Sequence, residues 1–130
     1  MKRLHKLFLC ALLIFSTLIV PAFAWNHYRW ISYGNMEAKC SLLADLQKSG
    51  TSTAKARTDM VNPDWYKYRV WVTLRGYNAN GDVVFYAKDT GYSWGEQNLH
   101  VAGLNKISSY HSIDNSDHSV EYVGISLTEN

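Results

Sequence analysis

Apolar and polar side chains alternate most clearly in two neighbouring stretches, residues 65–77 and 82–88. Both stretches are rich in aromatic and β-branched residues, and a period of two places successive side chains on opposite faces of a sheet. Asn78-Ala79-Asn80-Gly81 joins them, and its Asn-Gly pair supplies the positive φ angles that a tight turn requires. The two stretches are therefore predicted to form a β-hairpin.

Shorter alternating stretches recur along the rest of the chain, with turn residues about every ten positions. In residues 38–46 a helix competes, because Leu42, Leu43 and Leu46 also have helical spacing, but we favour a strand there. The other predicted strands are Tyr28–Tyr33, Thr51–Thr58, Gln97–Ala102, Lys106–His111 and Ser119–Leu127. About seven or eight short strands predict an all-β fold, which is a small antiparallel sandwich or barrel.

Polar and Gly-containing segments separate the predicted strands. Asn62-Pro63-Asp64 is predicted to break the chain, Asp89–Gly95 to form a loop and Asp114–Asp117 to form a turn. The sequence contains no internal repeat, low-complexity tract or linker. We therefore expect residues 25–130 to form a single domain.

The first 24 residues have a different pattern, in which basic residues precede an unbroken apolar run. That run extends from Leu7 to Val20, and the small residues of Ala22-Phe23-Ala24 end the segment. This order is typical of a secretory signal peptide. A run of about 14 residues is short for a membrane span, which needs about 20. We expect cleavage after Ala24, a secreted or extracytoplasmic location and no transmembrane segment in the mature chain.

The charge of the protein depends on that segment. The whole chain has 13 Lys and Arg against 11 Asp and Glu, but Lys2, Arg3 and Lys6 belong to the predicted signal peptide. The mature chain is therefore slightly acidic, which argues against a polybasic protein, and no nucleic-acid partner is expected. A hydrophobic content of 47% and an aromatic content of 14% exclude an intrinsically disordered chain.

Cys40 is the one cysteine of the predicted mature chain, because Cys10 lies within the signal peptide. It therefore has no partner for an intramolecular disulfide. Within the alternating run of residues 38–46 it takes an apolar position, so we expect it to be buried. A dimer linked by a disulfide through Cys40 is the alternative.

Motifs of catalysis are missing from the sequence. There is no G-x-S-x-G turn of a serine hydrolase and no Gly-rich phosphate loop. His111, Asp114, Asp117 and His118 are close in sequence and could hold Zn²⁺ or Mn²⁺, but Asp, Asn and Ser are also typical of a solvated turn. We favour the turn and expect a non-catalytic protein with no cofactor and no metal. A metal-dependent enzyme is the less favoured alternative.

Residues 65–77 have an apolar face and a mixed face. The apolar face is predicted to lie in the core and comprises Tyr66, Tyr68, Val70, Val72 and Leu74. The mixed face carries aromatic and cationic residues, which we call the aromatic-cationic strip: Trp65, Lys67, Arg69, Trp71, Arg75 and Tyr77. Trp94, between Gly91 and Gly95, is a further candidate, either exposed at a loop tip or folded back onto the core.

The strip suggests a binding function. Flat aromatic rings stack on sugar faces, and Lys and Arg attract phosphate or carboxylate groups. The strip and Trp94 are therefore predicted to form the ligand-binding site of a secreted interaction domain. Its ligand would be a glycan or an anionic polymer of the cell envelope. In the alternative interpretation, the cations lie over Trp65 and Trp71 and only complete the outer surface of the sheet.

A second function is suggested by a short stretch within residues 108–124. It consists of Ser108-Ser109-Tyr110-His111, His118-Ser119-Val120 and Val123-Gly124. This stretch resembles a Tyr/His-rich segment of lactococcin-like bacteriocins, which are small secreted β proteins. The resemblance implies, as the alternative function, an antibacterial protein that acts on the envelopes of competing bacteria. The mature chain lacks the strong positive charge of many membrane-active peptides.

Overall fold

The computed structural model describes residues 25–61 and 68–130. Five predictions fall outside these residues: the signal peptide (1–24), the chain break (62–64), the strip residues Trp65 and Lys67, and the apolar-face residue Tyr66. Within the described residues, no helix has the length and apolar character that crossing a membrane requires.

The described residues form eight antiparallel strands and no helix. In chain order the strands are β1 (Trp25–Tyr33), β2 (Met36–Asp45), β3 (Thr51–Met60), β4 (Tyr68–Tyr77), β5 (Val83–Gly91), β6 (Trp94–Ala102), β7 (Lys106–Asn115) and β8 (Glu121–Glu129). Residues 38–45 of the stretch in which helix and strand competed lie in β2, because their alternating apolar side chains fit one face of a sheet. The all-β prediction is confirmed.

The strands pair into two sheets, in the order β1-β2-β3-β6 and β5-β4-β7-β8. The sheets pack face to face as a sandwich, and the chain crosses between them after β3, β5 and β6. Along one side of the sandwich, His27 Nε2 of β1 lies 2.8 Å from Glu129 Oε2 of β8. Along the other side, the backbone amide of Glu96 in β6 donates to Asp89 Oδ2 of β5 at 3.0 Å. Polar contacts therefore join the edges of the two sheets on both sides.

The core lies between the sheets and consists of the apolar half of each alternating strand. In β2 every second side chain from Met36 to Ala44 is buried. The core residues of the other strands and loops are Ile31, Ala54, Ala56, Val70, Val72, Leu74, Leu99, Leu104, Ile107, Ile113 and Leu127. Cys40 is fully buried among them, as predicted, and burial raises the pKa of its thiol to about 12. Its sulfur is therefore protonated and shielded at neutral pH.

One polar cluster is enclosed in the core and links the two sheets. His111 of β7 is fully buried, with Nδ1 2.8 Å from Thr58 Oγ1 of β3 and Nε2 2.7 Å from Ser109 Oγ. Thr58 donates its hydroxyl proton to the carbonyl of Trp71 at 3.1 Å, so it accepts from Nδ1–H, and Ser109 donates to Nε2. Both ring nitrogens are satisfied in the neutral ring. Burial lowers the pKa of His111 to about 4, in agreement with this arrangement.

The turn of the predicted hairpin differs from the prediction. The connection between β4 and β5 comprises residues 78–82, and the side chain of Asn78 organises it. Asn78 Oδ1 accepts from the backbone amides of Asn80 at 2.9 Å and of Asp82 at 3.0 Å. Gly81 has a φ of 84°, whereas Asn80 is not among the described residues with positive φ. A wider loop held by an asparagine side chain therefore replaces the two-residue Asn-Gly turn.

The loop predicted at Asp89–Gly95 is instead a tight corner between two strands. β5 continues to Gly91, and β6 already begins at Trp94. A Cβ atom at Gly91 would collide with the carbonyl oxygen of Trp94, so this corner requires glycine. Trp94 therefore starts a strand and does not occupy a loop tip.

Candidate functional site

A cleft of about 330 Å³ lies on the outer face of the sheet β5-β4-β7-β8. All four strands and the β7–β8 turn contribute to its lining, which consists of Trp71, Thr73, Arg75, Tyr86, Tyr110, Ser112, Asp114, His118 and Glu121. Aromatic rings, hydroxyl groups and charges of both signs converge there. A few convergent polar groups among aromatic walls are typical of ligand-binding sites.

Strand β4 supplies the centre of the cleft. Trp71, Thr73 and Arg75 point outward, while the side chains between them lie in the core. The predicted division of this strand into two faces is therefore confirmed for the described part of it. The outward side chains are half-buried or buried, because side chains of β5 and β7 lie beside them.

Two cations of this face lie over aromatic rings of neighbouring strands. Lys88 Nζ of β5 is 5.4 Å from the centre of the Trp71 ring, and the Arg75 guanidinium carbon is 5.3 Å from that of Tyr86. Cation–π cover of the rings is therefore present, but it connects β4 with β5 and does not run along the strip. Among the described residues, neither Arg75 nor Lys88 has a carboxylate partner.

Two buried polar atoms at the cleft have no hydrogen-bond partner among the described residues. They are Ser112 Oγ and Asp114 Oδ1. Ser112 is 1% exposed and Asp114 is 6% exposed. Leaving such an atom unpaired costs about 1–3 kcal/mol, so each one calls for an explanation. Both side chains belong to the outward half of β7, and both line the cleft.

His118 borders one end of the cleft and ties the β7–β8 turn to β5. Its Nδ1 is 2.9 Å from Asp114 Oδ2, its Nε2 is 2.6 Å from Thr90 Oγ1, and its ring meets Trp71 edge to face. Thr90 also donates its hydroxyl proton to the carbonyl of Val70 at 3.1 Å. These contacts form a chain of hydrogen bonds from the β7–β8 turn through β5 to the backbone of β4.

The turn that holds His118 is stabilised by its own polar side chains. Asn115 Oδ1 accepts from the backbone amide of Val120 at 3.0 Å, and Asp117 Oδ1 accepts from that of Ser119 at 2.9 Å. His118 has a φ of 60°, the left-handed conformation that few residues other than glycine adopt. The interpretation of this segment as a self-hydrogen-bonded turn is therefore supported.

The four candidate metal ligands of this segment do not converge. His111 points into the core, whereas Asp114 and His118 form a pair on the outer face. Asp117 is exposed in the turn. The described residues contain no group of three or more side chains suited to hold a metal ion.

Tyr110 forms the wall of the cleft next to β8. Its hydroxyl donates to Glu121 Oε1. A Cβ atom at Gly124 would collide with that hydroxyl, so the glycine leaves the space that the tyrosine occupies. Burial, followed by the effect of the Glu121 carboxylate, raises the pKa of Tyr110 to about 12. The cleft therefore presents a neutral phenol in a fixed position.

Two residues of the strip lie outside the cleft lining. The Arg69 guanidinium lies 4.5 Å from the centre of the Tyr92 ring, and its Nε is buried without a partner among the described residues. At the other end of β4, Lys106 Nζ lies 4.7 Å from the centre of the Tyr77 ring. The structure thus brings Trp71 and Arg75 into the cleft but leaves Arg69 and Tyr77 beside it.

Trp94 lies on the opposite side of the sandwich. It is 50% exposed on the outer face of the sheet β1-β2-β3-β6, where Arg57 lies 4.6 Å from its ring centre. The same guanidinium is bound by Asp59 at 2.7 Å and by Glu96 at 3.2 Å. Trp94 and the strip therefore cannot contact one compact ligand together.

Several lining residues were not predicted from the sequence, among them Tyr86, Tyr110, Ser112 and Glu121. Alternation within each predicted strand could have assigned these side chains to the outward face of that strand. It does not show which strands are neighbours, and the cleft depends on β5 and β7 lying on either side of β4. The missing information was the strand order.

No family model matches the chain, and no curated protein matches it either. A family 2 glycosyl hydrolase from Bacteroides cellulosilyticus is structurally similar over 78% of this chain and 15% of its own, with a TM-score of 0.48 and 8% identity. A β-glycosidase from Bacteroides vulgatus is similar over 82% of this chain and 12% of its own, with a TM-score of 0.41 and 10% identity. The likeness is confined to that small fraction of each glycosidase. A DUF1425 family member from a Shewanella species has a TM-score of 0.27 and 16% identity, over 79% of this chain and 88% of its own.

Proposed function

We propose that this chain is a secreted, non-catalytic domain that binds a glycan or an anionic polymer of the cell envelope in the cleft of the sheet β5-β4-β7-β8. The observation that supports the proposal is the convergence of aromatic rings, hydroxyl groups and the Arg75 guanidinium, which has no carboxylate partner among the described residues, in one open cleft. Trp71 and Tyr86 offer ring faces for stacking on sugars, and Thr73 and Ser112 offer hydroxyl groups. The secretion part of the proposal rests on the signal pattern of residues 1–24.

The length of the cleft favours a polymer over a single sugar. Arg75 lies near one end of the lining and Asp114 near the other. Asp114 pairs with Arg69 of β4, so at the rise of a strand its Cα lies roughly 20 Å along the sheet from that of Arg75. A ligand that contacts both ends is therefore longer than one sugar unit.

A carboxylate, an imidazole and a hydroxyl follow one another in Asp114, His118 and Thr90, the order that activates a nucleophile in some hydrolases. Thr90 Oγ1, however, also donates to the carbonyl of Val70 at 3.1 Å, so the backbone of β4 competes with the imidazole for the hydroxyl proton. Thr90 is also not part of the cleft lining. This geometry favours a structural role for the three residues and supports a non-catalytic function.

The proposal is tested by removing aromatic side chains from the cleft. In affinity electrophoresis through cell-wall and polysaccharide preparations, Trp71→Ala and Tyr86→Ala should each weaken retention of the mature protein by about tenfold or more. Tyr86 is 51% exposed, so its removal should leave the fold intact even if Trp71→Ala does not. Trp94→Ala is the matched control, because Trp94 is similarly exposed on the other sheet.

Two results would contradict the proposal. If the wild-type protein is not retained by any preparation, the binding function is wrong. If Trp94→Ala abolishes retention while Tyr86→Ala leaves it unchanged, the protein binds its ligand on the other face of the sandwich.

A further inference from the structure

Cations on the outer faces of the sandwich differ in how they are paired, and Lys39 on the sheet β1-β2-β3-β6 lies over the Tyr28 ring without a carboxylate partner among the described residues. On the sheet β1-β2-β3-β6, Arg57 is held by the carboxylates of Asp59 and Glu96. On the cleft face, Arg75 and Lys88 have aromatic neighbours but no carboxylate partner among the described residues. Arg75 lines one end of the cleft, where an anionic group of a ligand would provide the charge-assisted hydrogen bonds that it lacks.

The end of the cleft at Asp114 lacks hydrogen-bond donors and not an anionic group. Asp114 Oδ2 lies 2.9 Å from His118 Nδ1. The other oxygen of this carboxylate, Oδ1, is buried with no hydrogen-bond donor among the described residues. Ser112 Oγ, also buried and unpaired among the described residues, lies on the same strand two positions away. Neutral hydroxyl groups of a ligand meet both needs.

We propose that the cleft binds an acidic polysaccharide in one direction, with an anionic substituent at Arg75 and sugar hydroxyl groups donating to Asp114 Oδ1 and Ser112 Oγ. This inference rests on the proposed function and narrows it. The ligand must carry both anionic and hydroxyl groups, because Arg75 at one end lacks an anionic partner and Asp114 and Ser112 at the other end lack hydrogen-bond partners. A neutral glycan satisfies only one end, and a polyanion without hydroxyl groups satisfies only the other.

Three polymers separate these requirements. Polygalacturonate carries carboxylates and hydroxyl groups, galactan carries hydroxyl groups alone, and polyacrylate carries carboxylates alone. In affinity electrophoresis at constant ionic strength, the wild-type protein should bind polygalacturonate about tenfold or more tightly than either of the other two. Constant salt is needed because attraction between exposed charges is screened.

Variants at the two ends should change this preference in different ways. Arg75→Gln should weaken binding of polygalacturonate about tenfold and leave galactan binding unchanged. Ser112→Ala and Asp114→Asn should weaken binding of both hydroxyl-bearing polymers but should not weaken binding of polyacrylate. Lys55→Gln, which removes the same charge from the other sheet, is the control for Arg75→Gln. Ser112→Ala removes only one oxygen atom, so it tests the same end of the cleft even if Asp114→Asn fails to fold.

The outcomes separate this inference from the proposed function. If polyacrylate or galactan binds as tightly as polygalacturonate, and Tyr86→Ala still abolishes binding, the cleft binds polymers but the inferred ligand class is wrong. The same holds if Arg75→Gln and Asp114→Asn weaken all three polymers equally. If the wild-type protein binds none of the three polymers and no envelope preparation, the proposed function is wrong as well.

Discussion

Two histidine–threonine pairs lie on opposite faces of the sheet β5-β4-β7-β8, and their surroundings differ. On the inner face His111 contacts Thr58, and on the outer face His118 contacts Thr90. In each pair the threonine hydroxyl also donates to a backbone carbonyl of β4. The same local arrangement therefore occurs once in the core and once at the surface.

The pairs differ in how completely their neighbours are satisfied. Around His111 both ring nitrogens have partners, and the cluster holds the two sheets together. Around His118 the ring is also satisfied, but Ser112 Oγ and Asp114 Oδ1 beside it are buried without partners among the described residues. A complete polar cluster contributes to stability, whereas an incomplete one at a cleft indicates where a ligand would bind.

The largest expected effect concerns pH and the inner pair. The pKa of His111 is lowered to about 4 by burial, below its ordinary value of 6.5. Between these values the unfolded chain binds a proton that the folded chain does not, so stability is complete above pH 6.5 and falls as the pH drops towards 4. The loss over this window should be about 3 kcal/mol.

Urea denaturation at pH 7, 5.5 and 4, together with NMR titration of the histidine rings, measures this effect. The His111 resonance should shift only as the pH approaches 4. A His111 ring that titrates near its ordinary value of 6.5, in a protein that stays folded, would show that the inner cluster is open to water.

The second prediction compares the two threonines directly. Thr58→Val keeps the shape of the side chain but leaves His111 Nδ1–H without an acceptor in the core, which should cost about 2 kcal/mol in the free energy of unfolding. Thr90→Val makes the same change in the half-buried outer pair, where water can replace the hydroxyl, and should cost less than about 1 kcal/mol. Urea denaturation at pH 7 measures both values. Equal losses would contradict the distinction between a sealed and an accessible pair.

This comparison also shows what the sequence could predict. Alternation along β4 correctly assigned its inner and outer faces, and alternation in β2 correctly placed Cys40 in the core, because the side-chain period of a strand is local. The sequence separation of His111 and His118 suggested one cluster, but a strand directs His111 inward while the following turn returns His118 to the outer face. Contacts between distant strands, such as His118 with Thr90, depend on strand order and on the turn, which alternation does not encode.

The smallest expected effect concerns the wall of the cleft beside the outer pair. Gly124→Ala places a methyl group where the Tyr110 hydroxyl lies, so the ring must leave Glu121. Because Gly124 is exposed on a strand, the free energy of unfolding should change by less than about 1 kcal/mol. The pKa of Tyr110, which is about 12 in the native protein, should fall because the displaced ring becomes more accessible to water and loses the carboxylate.

Glu121→Gln is the matched variant, since it removes the charge without filling the space, and it should lower the pKa of Tyr110 by a smaller amount. Ultraviolet titration of tyrosine ionisation measures both shifts, and an unchanged value in Gly124→Ala would show that Tyr110 is not held by this contact.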